Sequence, residues 1–187
     1  GVQQFLPDSL FPLLNMMQGV IQRGTGRIVR KMGFKHPSAG KTGTTNDFKD
    51  AWFNAFTKDI SASVWVGFDN NESMKTKSGK GLTGASAAAP IWVHFMQKVL
   101  EGKNPVNFPV PEKIKFATVD VQTGYLAQEF SLETLQVAVK EDVDLSPPAV
   151  LSGEQEPDET GLLPDPVVIK KSENVVIPEK KNVVPNP

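Results

Sequence analysis

The sequence predicts an α+β fold, an antiparallel sheet with flanking helices, followed by a separate tail. Three observations predict it. Apolar residues near the start recur at helical spacing, two β-rich runs lie only four residues apart, and a second apolar stripe follows a Gly-rich loop. Helix, antiparallel strands and helix in that order place helices on one sheet.

The first helix is expected from Asp8 or Ser9, either of which can cap it, to about Arg23. Leu10, Leu14, Met17 and Ile21 recur at spacings of four, three and four, and so mark one buried face. Pro12 is expected in the first turn, where a missing N–H costs little. Gly24-Thr25-Gly26 stops the helix, amid Arg23, Arg27, Arg30 and Lys31.

Strand-like runs follow. Residues 36–45 read as one strand, residues 51–56 as a second, and residues 61–68, rich in Val and Trp, as a third. Thr57 to Ile60 alone separate the last two, which makes them an antiparallel hairpin. Residues 69–84 are polar and Gly-rich, hence a loop. A final helix runs from Ala85 or Pro90 to Leu100, with Trp92, Phe95, Met96 and Val99 as its stripe. Residues 113–127 read as one more hairpin, turned at Gln122-Thr123-Gly124.

Composition divides the chain. Only 39% of the 187 residues are hydrophobic, low for a chain that is globular throughout. The shortfall lies late: 11 of the 15 prolines fall from Pro105 onward, and no aromatic follows Phe130. A stretch without large apolar side chains buries too little surface to offset its ordering entropy. Residues 1–104 therefore hold the core, 105–130 a linker and short hairpin extension, and 131–187 a Pro/Glu-rich, disordered tail. Charge splits likewise, +5 over residues 1–130 and −6 over 131–187. A balance of +5 is too weak for nucleic acid, and no such partner is expected.

The chain has no cysteine, which excludes disulfide scaffolds and thiolate metal sites. No run approaches the roughly 18 apolar residues of a membrane helix. Gly1 stands where an initiator Met is absent, so the chain reads as a piece of a longer protein. His36 and His94 are the only histidines and have no carboxylate cluster at ligand spacing, so neither a metal site nor a Ser-His-Asp triad is expected. Trp52, Trp65 and Trp92 read as core.

The chemistry lies in Gly40-Lys41-Thr42-Gly43-Thr44-Thr45. A phosphate loop needs Gly five positions before Gly40, and Lys35 stands there. The other reading is the Lys-Thr-Gly strand of serine acyl-transfer enzymes. In it Lys41 supplies a cation, the Thr hydroxyls bind a substrate carboxylate, and Gly43 lets substrate approach the backbone. A strand edge offers its N–H and C=O groups to an extended peptide.

Five blocks in order, residues 18–27 (QGVIQRGTGR), 39–45 (AGKTGTT), 50–56 (DAWFNAF), 64–69 (VWVGFD) and 87–92 (AAAPIW), resemble the class A penicillin-binding proteins. The chain departs from that pattern at Asn54-Ala55, where an aliphatic residue and Gly are usual, and at Lys58, usually Pro. The resemblance implies part of a serine β-lactamase/transpeptidase-like fold and a D,D-transpeptidase that cross-links peptidoglycan through a serine acyl-enzyme. It implies Lys41 and Thr44 as catalytic, the Thr44 N–H serving the oxyanion, and Thr42, Gly43 and Thr45 as substrate-binding. The implied partners are the D-Ala-D-Ala end of a stem peptide, β-lactams, and the missing N-terminal half of the transpeptidase domain. No cofactor is implied. The parent is expected at the extracytoplasmic face of the cytoplasmic membrane, in the cell envelope. In the family, the Arg-Gly-Thr-Gly-Arg block lies close to the active-site strand, which gives its arginines a supporting role; a plain helix-end charge effect is the rival.

The family's Ser-x-x-Lys and Ser-x-Asn motifs precede Lys-Thr-Gly. Ser38-Ala39-Gly40-Lys41 fits the first by letter but overlaps the strand, where positions i and i+3 face opposite ways. Ser172-Glu173-Asn174 fits the second but lies in the tail. The chain alone is therefore expected to lack the nucleophile. The alternatives are a non-catalytic module derived from the same fold, and a D,D-carboxypeptidase or β-lactamase relative.

Overall fold

The structure is a computed structural model that describes residues 5–147; the predicted Ser-x-Asn decoy and most of the predicted tail lie outside the described residues. Helix α1 spans Pro7–Gln22 and a short α2 spans Ile28–Lys31. Strands β1 (Ala39–Thr44), β2 (Asp50–Phe56) and β3 (Ser61–Gly67) form an antiparallel sheet in the order β1-β2-β3. Helix α3 covers Ala89–Val99, and β4 (Ile114–Asp120) pairs with β5 (Thr134–Lys140) in a second sheet. The α+β class and the β2–β3 hairpin are as predicted.

Alternation along β2 builds the core. Ala51, Phe53 and Ala55 are buried, while Trp52 and Asn54 face outward. Helix α3 lays Trp92, Val93 and Met96 over the inner face, each fully buried. Trp92 is the centre. Its ring meets Phe53 at 5.5 Å and Phe34 at 5.3 Å, both edge-to-face. Its indole N–H donates to the carbonyls of Ala55 and Ala62, each at 3.2 Å, so burial leaves no polar atom unpaired there. Ile21 of α1 and Val29 of α2 close the same cluster.

Several expectations change. The cap of α1 is Leu6, not Asp8 or Ser9, and Pro7 opens the helix. Pro12 lies inside the helix. It is the sixth helical residue, past the first turn where the sequence placed it, so it removes the bond that an N–H there would make to the carbonyl of Asp8. Leu10 is 44% exposed and Phe11 takes its place in the interior. Phe11 is drawn in by the second sheet, where it meets Phe116 edge-to-face at 6.2 Å. Asn15 adds a bond from Ala138 N–H to its Oδ1 at 3.1 Å. In α3, Val93 is buried instead of Phe95 and Val99, which are 50% and 37% exposed.

The late hairpin also differs. The chain does turn at 121–124, with Gly124 at φ +75° and its N–H donating to Asp120 O at 2.8 Å. Past the turn, however, the ladder is a single bridge, Val119 to Leu126. The full partner of β4 is β5, on its other edge and inside the stretch predicted as tail. Leu135, Val137 and Val139 share one half-buried face of it and Ala138 is buried on the other, so the strand packs without aromatics. Asp120 fixes the turn by accepting from the N–H groups of Gln122 and Thr123, each at 2.9 Å. These bonds, that from Thr123 foremost, hold its carboxyl below the usual carboxylate range. No helix among the described residues is long and apolar enough to cross a membrane.

Trp92→Ala is expected to destabilise the chain by about 3–5 kcal/mol, measured by chemical denaturation, with Trp92→Phe retaining part of the loss because only the N–H and some contact area go. A depressed folded-state pKa stabilises above the unfolded value and is lost as pH falls. The Asp120 turn is thus expected intact above about pH 4. It opens on acidification below that, read as movement of the Gln122, Thr123 and Gly124 amide resonances.

Candidate functional site

Strand β1 is an edge. It pairs with β2 in the register Thr44↔Ala51, Gly43↔Trp52, Thr42↔Phe53 and Lys41↔Asn54, and no described strand lies on its other side. Thr45 N–H donates to Asp50 O at 3.1 Å, which fixes the phase of the ladder. In an antiparallel pair alternate residues turn both backbone groups toward the partner. Thr45, Gly43 and Lys41 therefore face β2, and the N–H and C=O groups of Thr44, Thr42 and Gly40 face the open edge.

The side chains alternate by the same rule. Lys41, Gly43 and Thr45 share the face of Trp52, while Thr42 and Thr44 share the face of Phe53. Lys41 is exposed, and its Nζ donates to the carbonyl of Thr42 at 2.7 Å, over the open edge. Thr42 Oγ1 lies 2.8 Å from Thr25 Oγ1, so Thr25 of the predicted Arg-Gly-Thr-Gly-Arg block sits directly on the motif. Thr44 Oγ1 accepts from Gly84 N–H at 3.0 Å, which leaves its own proton for another acceptor. Thr45 is engaged with Asp50: its Oγ1 accepts from Asp50 N–H at 2.8 Å and donates to Oδ2 at 3.2 Å. The motif residues are thus brought together along one edge, with Thr45 serving its end.

Three supports were invisible in the motif itself. Thr25 is the first. Gly84 is the second, in a turn held by reciprocal bonds between Thr83 and Ser86, at 2.9 Å and 3.2 Å. A Cβ on Gly84 would strike the carbonyl of Trp52 and come within 2.7 Å of Gly43 O, so only glycine fits. The Thr-x-x-Ser pattern of residues 83–86 was the available signal, inside a stretch read only as loop. Asp50 is the third, accepting from both Thr45 and the Trp65 indole N–H, the latter at 2.8 Å.

Gly40 has a separate reason. A Cβ there would collide with the Cβ of Ala55, the residue standing where Gly is usual. Arg30 donates to the carbonyls of Phe34 at 2.7 Å and His36 at 2.9 Å, and so ties down the lead into β1. Its partial burial lowers its pKa from the ordinary value. This is a positional role, distinct from a charge at a helix end.

Among the other candidates, Trp92 is core, but Trp52 and Trp65 are 41% and 43% exposed. Alternation puts them on the face away from α3, where their rings lie 6.4 Å apart. Ser38 is buried with no hydrogen-bond partner for its hydroxyl among the described residues, while Lys41 is exposed. His36 lies against Phe34 at 5.5 Å.

No family model matches the chain. Relatives do. The chain is 34% identical over 139 residues to penicillin-binding protein 1A of Rickettsia conorii, covering 71% of this chain and 17% of that protein. It is 36% identical over 159 residues to penicillin-binding protein 1A of Pseudomonas aeruginosa, covering 80% and 18%. The crystal structure of penicillin-binding protein 1A from Haemophilus influenzae superposes with a TM-score of 0.62 at 26% identity, over 75% of this chain and 21% of that one. The chain thus spans less than a fifth of the length of these two sequence relatives.

Thr25→Val is expected to cost about 1 kcal/mol by removing the contact to Thr42. Gly84→Ala is expected to cost about 1–3 kcal/mol by forcing the turn off Thr44. Chemical denaturation reads both, and wild-type midpoints would contradict the contacts.

Proposed function

The chain belongs to the penicillin-binding protein 1A family, and from that membership we propose that it forms one wall of a peptidoglycan D,D-transpeptidase site. The observation that carries the reading is the open edge of β1, with the Lys-Thr-Gly-Thr residues along it. An extended peptide ending in D-Ala-D-Ala adds to that edge as a strand, its backbone meeting the outward N–H groups of Thr42 and Thr44 and the C=O of Thr44.

In this reading a serine hydroxyl from the rest of the parent attacks the carbonyl between the two D-alanines. The C–N bond breaks, the terminal D-Ala leaves with a proton, and the acyl group stays on the serine. An amine of a neighbouring stem peptide then attacks the ester, forms the cross-link and frees the serine. The Thr44 N–H is one donor to the oxyanion that forms at each attack; such a donor is worth about 3–4 kcal/mol in comparable enzymes. Lys41 supplies positive charge at the same edge. The Thr44 hydroxyl, whose proton the bond from Gly84 leaves free, holds the terminal carboxylate together with the Thr42 hydroxyl, which has its proton to give when Thr25 is the donor of their shared bond, while Gly43 keeps side-chain bulk away from the backbone. Thr45 anchors the strand end through Asp50. β-Lactams enter as analogues of the D-Ala-D-Ala end and remain on the serine.

The nucleophile and its base come from the N-terminal part of the domain, which is this chain's first partner. The apolar surface of α1 supports that role. Leu10, Leu13 and Met16 are 44%, 51% and 62% exposed on a helix that is apolar nearly all round, the pattern of a helix meant for burial on two sides. The parent works in the cell envelope, outside the cytoplasmic membrane, where peptidoglycan is assembled.

A fluorescent penicillin is expected to label the full-length parent covalently and to leave the isolated chain unlabelled. Labelling of the isolated chain contradicts the absence of a nucleophile, and an unlabelled parent moves the reading to a non-catalytic module. In the parent, Lys41→Ala is expected to slow acylation by roughly a hundredfold, the scale of losing one electrostatic stabiliser. Unchanged acylation removes Lys41 from the site.

A further inference from the structure

A cleft of about 710 Å³ opens between the turn that follows α1 and the loop that carries residues 80–86. Its lining includes Arg23, Arg27, Lys31 and Lys80, and no acidic residue. Among the described residues the one ion pair is Lys98 with Glu101, so none of these four cations has a carboxylate partner there. Arg27 and Lys31 stand at i and i+4, a like-charge spacing that destabilises a helical turn. Cations of one sign lining a cleft focus their field inward and gather anions. The cleft is several times larger than one anion needs and falls in the size range of sites for small organic ligands, enough for a few residues of a peptide.

The cleft is joined to β1 by two of its lining residues. Thr25 lines the cleft and also touches Thr42 at 2.8 Å. Ser86 lines it too, within the turn whose Gly84 N–H holds Thr44. The cleft therefore adjoins the core face of β1, beside the edge read above as peptide-receiving. Ile28 and Ala85 give it apolar contact as well as charge, which suits a peptide better than a bare ion.

We infer that this cleft binds the carboxylates of an acidic peptide laid along β1. Arg23 and Arg27 take carboxylates in planar, two-pronged fashion, and Lys31 and Lys80 add point charges. The inference rests on the reading of β1 as a peptide-binding edge and adds a subsite to it: Arg23, Arg27, Lys31 and Lys80 are where the substrate's acidic groups beyond its terminal carboxylate are held.

The test uses the full-length protein and two probe peptides, one with three free carboxylates and one with its side-chain carboxylates amidated. Titration calorimetry at low and at 0.5 M salt reads their affinities. The free-carboxylate peptide is expected to bind at least tenfold more tightly, with the difference shrinking in high salt. Arg23→Gln and Arg27→Gln are each expected to weaken it about five- to tenfold and to leave the amidated peptide unaffected. Arg27→Lys retains most of the binding, and Lys58→Gln, which removes an equal charge in the β2–β3 turn, changes nothing. Thermal melts confirm that each variant is folded. Equal affinity for the two peptides, or losses of the same size for Lys58→Gln, overturns the inference. Inorganic phosphate displacing the peptide at equal concentration overturns it in favour of phosphate chemistry. Penicillin labelling does not use the cleft, so a labelled parent that ignores the carboxylates sinks this inference alone. An unlabelled parent that still discriminates them sinks the transpeptidase reading and leaves the cleft standing.

Discussion

An edge strand in an antiparallel sheet satisfies only every second residue, and the site in this chain depends on that constraint. One side of β1 is spent on β2. The other turns the backbone groups of Gly40, Thr42 and Thr44 outward at a fixed spacing with no strand to receive them, the Thr42 carbonyl meeting only the Lys41 ammonium. Such an edge invites any extended chain, so it must be held flat and in register to select one. Here β2 provides the register, Trp92 fixes β2 from below, and the Gly84 turn and Thr25 pin the outer end through side-chain hydroxyls.

That arrangement explains why so much of the neighbouring sequence is constrained. Gly84 has no room for a Cβ because two carbonyls, of Trp52 and Gly43, crowd it. Gly40 has none because Ala55 occupies the space across the ladder. Arg30 spends its guanidinium on two carbonyls of the segment entering β1. None of these residues performs chemistry in the proposed reaction. They hold a short edge in place, which is what positional catalysis requires of a scaffold.

How much of this was legible in the sequence follows from what each signal encodes. The hairpin, the two main helices and the Lys-Thr-Gly strand were readable because spacing and turn length are local properties. The identity of the buried face was not. Phe11 replaces Leu10 because a second sheet, built partly from residues read as tail, draws it inward. Strand β5 is not legible in composition because it packs through a buried Ala138 and half-buried Leu and Val with no aromatic. The expectation that Trp52 and Trp65 are core fails because strand alternation puts this cross-strand pair on the face away from Phe53 and Val64. The contacts of Thr25 and Gly84 with the motif span 17 and 40 residues, and no local pattern encodes a distance of that kind.

The central claim is that this chain supplies the oxyanion and carboxylate wall of a site whose nucleophile lies elsewhere in the parent. A crystal structure of the full-length protein acylated by a penicillin tests it most directly. The account predicts the acyl carbonyl oxygen about 2.7–3.1 Å from the backbone nitrogen of Thr44. The ligand's carboxylate should lie on the hydroxyls of Thr42 and Thr44, and the ester on a serine outside this chain. An acyl group attached within residues 1–187, or bound away from the open edge of β1, would contradict it.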